Sequence, residues 1–199
     1  MMVKKALIAL KQGKVIAHAT ETCYGFACDI FNKSAISRLY KIKKMGADKP
    51  VSILVADLKM AQEFGVFNEL ALELAKKYWP GPLTIIVKRK KTLPKFLNPK
   101  SKTIGMRVPG HKLSLELVKK LGSPITTTSA NISGLPSPYS VPAIKKQFRG
   151  QKPKPDFIPN SDRLKKTPPS TIVDVSVSPP QVIRQGTIFL QVLCDHGSD

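Results

Sequence analysis

The sequence predicts an α/β domain in which a mixed, largely buried sheet lies against helices. Short apolar runs of strand length alternate along the chain with segments of helical periodicity. The composition, 42% hydrophobic and 23% charged, is typical of a folded globular protein. The length of 199 residues fits one good-sized domain or two small ones. Since no internal repeat and no second hydrophobic core stands out, we expect one domain over residues 1–188 and a tail over 189–199.

The first half of the chain alternates helices with strands. Residues 3–11 have helical periodicity and stop at Gly13, and residues 15–19 follow as a short apolar strand. Residues 34–44 place apolar side chains three and four positions apart, which is typical of a helix with one buried face. The same reasoning predicts a buried strand over residues 51–55, a helix over 70–78 and a strand over 83–88.

The second half continues the alternation and ends in two strands. It predicts a strand over residues 103–108, a helix over 113–121 ending at Gly122, and a β-branched strand over 125–128. Residues 150–169 are rich in Pro and Lys, so we expect them to cross the surface as a loop. Residues 171–175 and 181–184 are predicted to close the sheet.

Apolar runs and cysteines both point to the cytoplasm. No apolar run approaches the roughly 18 residues of a spanning helix, and Lys11 ends the N-terminal run, so we expect no membrane association. The cysteines Cys23, Cys28 and Cys194 are odd in number and match no zinc or redox spacing, so we expect reduced thiols. The histidines His18, His111 and His196 are too far apart to form a metal motif.

The charge is strongly positive and unevenly spread. The whole chain carries +20, and residues 1–150 hold 27 basic against 8 acidic side chains, a net +19. Such a field attracts nucleic acid, phosphorylated ligands or anionic membranes. The alternative is a lysine-rich composition with no binding role, because the lysines occur in scattered pairs. Only a fold that gathers them on one face would make a binding surface.

Polar segments that follow apolar strands are the candidate functional sites. The turn at residues 20–25, T-E-T-C-Y-G, could hold a small polar ligand or be an ordinary turn. Cys23 within it is a weak candidate for a catalytic thiol, since no histidine base lies beside it in sequence. The lysines around Lys43 and Lys49 could bind a triphosphate or simply complement a helix terminus.

Two further segments carry groups that recognise anions. Arg107 ends an apolar strand and could bind a carboxylate or phosphate in bidentate fashion, or form a structural ion pair. Residues 126–134 combine hydroxyls with small residues, which suits phosphate and ribose contacts, although a polar edge strand explains them too. They match neither the Walker nor the dinucleotide-binding fingerprint.

The order of these segments resembles the YrdC/Sua5 family. The shared motifs are T-E-T-x-Y-G, K-x-x-x-x-x-K-P, W-P-G-P-L-T, R-V-P, T-T-S-A-N-x-S-G, P-S-T-I-V-D and V-I-R-Q-G, over residues 4–186. The resemblance implies a twisted mixed parallel/antiparallel sheet with flanking helices around a concave basic cavity. It also implies the short form of the family, with a single YrdC-like domain over residues 1–188.

The resemblance implies an L-threonylcarbamoyladenylate synthase. Such an enzyme makes threonylcarbamoyl-AMP and pyrophosphate from L-threonine, bicarbonate and ATP, with Mg²⁺ carried by the ATP phosphates and no organic prosthetic group. Its product serves the t6A modification of adenosine 37 in tRNA, through a downstream threonylcarbamoyl transferase complex. No covalent nucleophile is implied, and Lys43 and Arg107 would act electrostatically.

Site residues follow from the motif positions. The resemblance assigns L-threonine binding to Thr20, Thr22, Tyr24, Arg107, Thr127 and Ser170. It assigns ATP binding to Lys43, Lys49, Thr103, Ser129, Asn131, Ser137 and Arg184.

Three positions depart from the family pattern. Ala19 replaces a usual proline, Met45 replaces an arginine assigned to ATP, and Leu54 replaces the histidine of many longer members. Residues 102–109 resemble the YciO-like branch, whereas residues 128–131 resemble the synthases. An alternative is therefore a YciO-like protein that binds tRNA or double-stranded RNA, or the ribosome, with weak or no synthase activity. A weaker alternative is adenylation of another amino acid.

Overall fold

The computed structural model describes residues 2–46, 48–159 and 163–190, which contain six helices and nine strands. The helices are α1 (Met2–Lys11), α2 (Lys33–Lys43), α3 (Leu58–Phe64), α4 (Glu69–Tyr78), α5 (Lys112–Leu121) and α6 (Val141–Gln147). The strands are β1 (Ile16–Ala19), β2 (Tyr24–Ala27), β3 (Ser52–Leu54), β4 (Gly65–Val66), β5 (Leu83–Arg89), β6 (Thr103–Arg107), β7 (Ile125–Ser129), β8 (Thr171–Asp174) and β9 (Gln181–Arg184).

All nine strands form one mixed sheet, as the sequence predicts. The strand order is β1-β2-β7-β3-β6-β5-β8-β9, with β4 paired to β5. The pairs β3–β6 and β5–β8 are parallel, and the others are antiparallel. Parallel neighbours need crossover connections, and helices and loops supply these between the strands.

Apolar side chains cover both faces of the sheet, so the expectation that no second core exists is wrong. The larger cluster contains Phe26, Leu39 and Ile85. The smaller cluster contains Leu54, Ile125 and residues of α1 and α5. Successive residues of a strand point to opposite faces, so Ile53 belongs to the larger cluster and Leu54 to the smaller one, on the other side of the same sheet.

The predicted helices and strands are confirmed, and four elements were missed. Strand β2 begins inside the segment predicted as a turn. All four of its residues are buried, but the polar residues before it conceal the apolar pattern of a buried strand. Helix α3, strand β4 and helix α6 are too short for periodicity to show. In the region predicted as a surface loop, Phe157 pairs with Ile16 as a bridge at the edge of β1. Among the described helices, none is long and apolar enough to cross a membrane.

Candidate functional site

One face of the sheet carries a row of small, polar and basic residues. The register places Gly25 beside Ser129, Ser52 beside Thr127, and Ile172 between Thr84 and Arg184. Leu54 and Ile125 lie further along the same face and belong to the smaller core. The part of this face that the smaller core leaves uncovered forms the floor of a cavity of about 240 Å³.

Loops that leave the strands form the walls of this cavity. The lining residues are Thr20, Thr22, Cys23, Gly25, Pro50, Val51, Ser52, Thr84, Arg107, Thr127, Thr128, Ser129, Ser137, Pro169, Ser170, Ile172 and Arg184. Within the described part of the chain, the charged members of this set are two arginines. The predicted basic character of the cavity therefore rests on Arg107 and Arg184 and stays a prediction for the cavity as a whole.

Arg107 is the most deeply placed cation at the cavity. It ends β6 and is 4% exposed, and its carbonyl accepts a hydrogen bond of 3.0 Å from the amide of Val55. Its Nη1 lies 3.8 Å from Oε1 of Glu21, which is an ion pair without a hydrogen bond. Its Nε is buried and has no hydrogen-bond partner within the described chain. A guanidinium with unused donors at a cavity wall is suited to a carboxylate or phosphate.

Arg184 joins β9 to the loop before β8. Its Nε and Nη2 donate to the carbonyl of Ser170 at 3.0 and 2.7 Å, and Nη2 also lies 3.0 Å from the Ser170 hydroxyl. That hydroxyl lies 3.2 Å from the hydroxyl of Thr84. Burial, and then the charge of Arg107, lower the pKa of Arg184 below its usual value. The two guanidiniums therefore face a common region.

The turn between β1 and β2 is organised by one hydroxyl. Thr20 Oγ1 donates to the carbonyl of Cys23 at 2.7 Å and accepts from the amides of Thr22 and Cys23 at 3.2 Å. It also lies 3.0 Å from the hydroxyl of Thr22. Thr167 donates from outside to the carbonyls of Glu21 and Thr22. The turn is thus fixed before any ligand arrives.

Lys43 holds the loop that follows β7. Its Nζ donates to the carbonyl of Ser129 at 2.5 Å and to both oxygens of Asn131 at 3.0 and 3.2 Å. Asn131 also accepts from the Ser129 hydroxyl and donates to the carbonyl of Leu135. Burial lowers the pKa of Lys43 to about 8. All three donors of the ammonium are therefore engaged by the protein.

Cys23 lines the cavity without the properties of a nucleophile. Burial raises the pKa of its thiol above the usual value, so the thiol stays protonated near neutral pH. Cys28 is more deeply buried, and its pKa is raised to about 12. Both are free thiols, as predicted, whereas Cys194 and His196 lie outside the described residues.

Eight of the residues assigned from the motifs meet at the cavity. They are Thr20, Thr22, Arg107, Thr127, Ser129, Ser137, Ser170 and Arg184. Their ligand roles stay predictions. The described lining also contains Ser52 and Thr84, which the motif assignment missed. The period-two alternation of β3 and β5 could have revealed them, since each lies between two core residues.

Five assigned residues lie off the cavity lining. Tyr24 is fully buried in the larger core, since its neighbour Gly25 takes the cavity side of β2. Thr103 shares a face of β6 with Arg107 but lies at the opposite end of the strand. Lys43 and Asn131 support the wall, and Lys49 is exposed beside the lining residue Pro50. Their assignment to threonine or ATP likewise stays a prediction.

The three residues that depart from the family pattern lie away from the cavity lining. Met45 packs against the larger core and lines a surface groove beside α2, not the cavity. Leu54 is buried in the smaller core, and the carbonyl of Ala19 accepts a hydrogen bond from Ser114. None of these three side chains therefore reaches the described cavity lining.

Comparison with known families settles the ancestry of the chain. The family model named Sua5_yciO_yrdC, described as "Telomere recombination", matches residues 8–186. The chain belongs to this family. Most of the chain is therefore homologous to Sua5, YciO and YrdC proteins, as the ordered motifs predict.

Individual members of the family are similar over nearly the whole chain. A threonylcarbamoyl-AMP synthase from Pyrococcus abyssi is 32% identical over 92% of this chain and 53% of its own length. A putative threonylcarbamoyl-AMP synthase from Methanocaldococcus jannaschii is 36% identical over 96% of this chain and 90% of its own length. This chain thus spans about half of the Pyrococcus relative.

Solved structures support the same fold. The structure of P. abyssi Sua5 complexed with L-threonine has a TM-score of 0.86 at 31% identity, covering 92% of this chain and 54% of that one. The structure of E. coli YciO has a TM-score of 0.82 at 28% identity, covering 92% and 88%. The fold is therefore shared by both branches that the sequence resembles.

Proposed function

We propose that the chain is a threonylcarbamoyl-AMP synthase that acts on L-threonine, bicarbonate and ATP. The observation that carries the proposal is Arg107, a buried guanidinium with unused donors in a cavity lined by hydroxyls. The relatives named as such synthases, and the P. abyssi relative described with L-threonine, support this choice of ligand. We place the activity in the cytoplasm, where its proposed substrates occur.

In this proposal Arg107 binds the threonine carboxylate. Two parallel N–H bonds to a carboxylate are the strong geometry for a guanidinium, and burial excludes competing water. The hydroxyls of Thr22, Thr127 and Ser170 surround the same space and offer contacts for the remaining polar atoms of threonine. Thr20 contributes through the turn that it fixes.

The triphosphate takes the side of the cavity formed by the loop after β7 and by β9. Arg184, Ser129 and Ser137 provide a cation and hydroxyl donors there. Lys43 and Asn131 hold the loop in place, and Lys49 adds charge at the rim. Mg²⁺ arrives on the phosphates of ATP, because the described lining has no carboxylate ligand to hold it.

The reaction joins two anions in one cavity. The threonine amine and bicarbonate give a carbamate and water, and a carbamate oxygen then attacks the α-phosphorus while pyrophosphate leaves. Arg107 and Arg184 offset the repulsion between these anions and hold them in reacting positions. Their enclosure limits hydrolysis of the carbamate and of the mixed anhydride.

Pyrophosphate release tests the proposal directly. We expect release from Mg²⁺–ATP to require both L-threonine and bicarbonate, with serine a poor substitute. Pyrophosphate release that does not depend on threonine, or no release from folded protein, would refute the proposal. We further propose that the product passes to a threonylcarbamoyl transferase complex, since a labile mixed anhydride favours direct transfer.

RNA is a second candidate ligand because of one surface feature. A groove of about 940 Å³ between α6 and the following loop is lined by Lys145, Lys146, Arg149, Lys152 and Lys154. Its carboxylate, Asp156, is already paired with Arg38 at 2.6 Å. These five cations come from one stretch of ten residues, 145–154, and the groove presents them together on one surface.

Salt-dependent RNA binding tests this second function. We propose that tRNA or double-stranded RNA binds the groove with an affinity that falls as salt rises, through release of counterions. Binding should survive Arg107→Ala and weaken when Lys145 and Lys146 are both changed to Ala. Loss of binding in Arg107→Ala alone would place the RNA in the cavity instead.

A further inference from the structure

Four residues near the cavity have buried polar side-chain atoms: His18 and Arg107 are buried as a whole, and Glu21 and His111 are half-buried. Within the described chain, the buried side-chain nitrogen and oxygen atoms without a hydrogen-bond partner are His18 Nε2, both carboxylate oxygens of Glu21, Arg107 Nε and His111 Nδ1. All five atoms belong to Arg107 itself or to side chains near it. Buried polar atoms are usually paired, so their concentration at one place calls for an explanation.

The two histidines contribute no charge to this cluster. Burial, and then the charges of Arg107 and His111, lower the pKa of His18 to about 3. Burial likewise lowers the pKa of His111, opposed by the charge of Glu21. Ser114 donates its proton to the carbonyl of Ala19, so His18 Nδ1 is the donor to Ser114 and Nε2 is left as an acceptor.

Glu21 is therefore the counter-charge of Arg107. Their charged atoms are 3.8 Å apart, close enough for a strong Coulomb interaction in a buried site but too far for a hydrogen bond. The carboxylate thus reduces the field of the guanidinium without occupying its donors. Thr20 and Thr22, the sequence neighbours of Glu21, both line the cavity. The carboxyl group of Glu21 lies beside Gly110: its Cδ is 3.8 Å from the point where a side chain at Gly110 would begin.

We propose that Glu21 is a specificity-determining counter-charge that makes the Arg107 subsite select a zwitterionic amino acid over a polyanion. A bare buried guanidinium would attract phosphate or pyrophosphate more strongly than a carboxylate. With Glu21 in place, the pair has no net charge, and Arg107, the member of the pair that lines the cavity, still offers its hydrogen-bond donors. This inference rests on the proposed function, in which triphosphate and amino acid occupy neighbouring parts of one cavity.

Charge arithmetic gives the expected effect of Glu21→Gln. The variant adds one positive charge to the subsite, which favours a phosphate dianion by about tenfold or more. Threonine has no net charge, so the gain at its carboxylate is largely offset at its ammonium group. We therefore expect the ratio of threonine affinity to phosphate affinity to fall by about tenfold.

Calorimetric titration of the full chain with L-threonine and with inorganic phosphate tests the proposal. Glu21→Gln should bind phosphate about tenfold more tightly than the original protein, with threonine affinity changed by less than about threefold. Glu21→Asp keeps the charge and should exclude phosphate as before. Glu116→Gln is the matched control, because it removes an exposed carboxylate paired with Lys120 on α5. Adding Arg107→Ala to Glu21→Gln should abolish the gain in phosphate binding.

Two outcomes would overturn the proposal. Phosphate affinity within about twofold of the original protein in Glu21→Gln would show that the charge has no selective role. Loss of threonine binding in the same variant would show that Glu21 contacts the amino acid itself. Glu21→Ala replaces the Gln variant if the latter does not fold. Because binding is measured without turnover, a protein that binds threonine but releases no pyrophosphate refutes the synthase proposal alone.

Discussion

The cations in and beside the cavity differ in how far the protein itself occupies their hydrogen-bond donors. Arg107 is 4% exposed and leaves its Nε unpaired, whereas Arg184 places its donors on Ser170. Lys43 uses its ammonium group entirely on the loop after β7. Since an unpaired buried donor costs free energy, Arg107 is the cation with most to gain from a ligand.

Replacement of Arg107 should therefore affect substrate binding more than folding. We expect Arg107→Ala to raise the threonine KM by at least about 100-fold, because each charge-assisted hydrogen bond contributes about 1.5–3 kcal/mol and two are lost. The ATP KM should change much less. Steady-state pyrophosphate release measures both constants. Arg163→Ala, an exposed arginine, is the control, and an unchanged threonine KM in Arg107→Ala would contradict the site.

His18 gives a pH prediction at the same scale. Its pKa is lowered to about 3 in the fold, so the unfolded chain takes up the proton first as the pH falls through 6.5. The stability that neutral His18 provides is complete above pH 6.5 and decreases below it, by about 2 kcal/mol at pH 5.

Urea unfolding at pH 8 and pH 5 measures this effect. The free energy of unfolding should fall more between the two pH values in the original protein than in His18→Phe, by about 2 kcal/mol. His111 titrates in both proteins and cancels from the comparison. Equal losses in the two proteins would mean that His18 takes up its proton by pH 5 in the folded protein as well as in the unfolded chain.

At the scale of elements, β7 joins the two halves of the cavity floor. It pairs with β2 on one side and β3 on the other. Beside the floor residue Thr127, the fully buried Thr126 points to the opposite face and accepts a 2.9 Å hydrogen bond from the amide of Cys28. One strand thus supplies cavity hydroxyls and a hydroxyl that fixes its neighbour.

Thr126→Val should destabilise the fold without altering the cavity chemistry. Valine keeps the shape but leaves the Cys28 amide without its partner, which costs about 1–3 kcal/mol. Denaturant unfolding measures the loss, and the threonine KM should stay unchanged. A variant as stable as the original protein would show that water or a backbone shift satisfies the amide.

At the scale of the molecule, one sheet is shared by two cores of unequal size. The smaller core docks α1 and α5 next to the cavity, and α5 also supplies Ser114 beneath His18. The arrangement leaves part of one face uncovered, and this part is the cavity floor. Stability and site geometry therefore depend on the same layer.

Leu117→Ala tests whether the smaller core folds together with the rest. Leu117 is fully buried, so truncation should cost about 2–5 kcal/mol. We expect one unfolding transition at a lower urea concentration, with an unchanged m-value. Two separated transitions by fluorescence and circular dichroism would show that α1 and α5 form an independent unit.

Local patterns in the sequence determined the main elements and the family. Helical spacing in α2 and α5, the β-branched run of β7 and the order of the seven motifs require only neighbours in the chain. They also indicated that Arg107 needs an anionic partner, either a ligand or a structural ion pair, because an arginine that ends an apolar strand seldom stays unpaired.

Tertiary structure decided which motif residues share a cavity. The family resemblance assigned Tyr24 and Arg107 to threonine and Lys43 to ATP. In the structure Arg107 lines the cavity, whereas Tyr24 lies in the larger core and Lys43 is hydrogen-bonded to the loop after β7. Glu21, His18 and His111 form a cluster across up to 93 residues of chain, too far apart for any local pattern to reveal. Contacts of this kind depend on the pairing of distant strands and on burial, which set both distance and charge state.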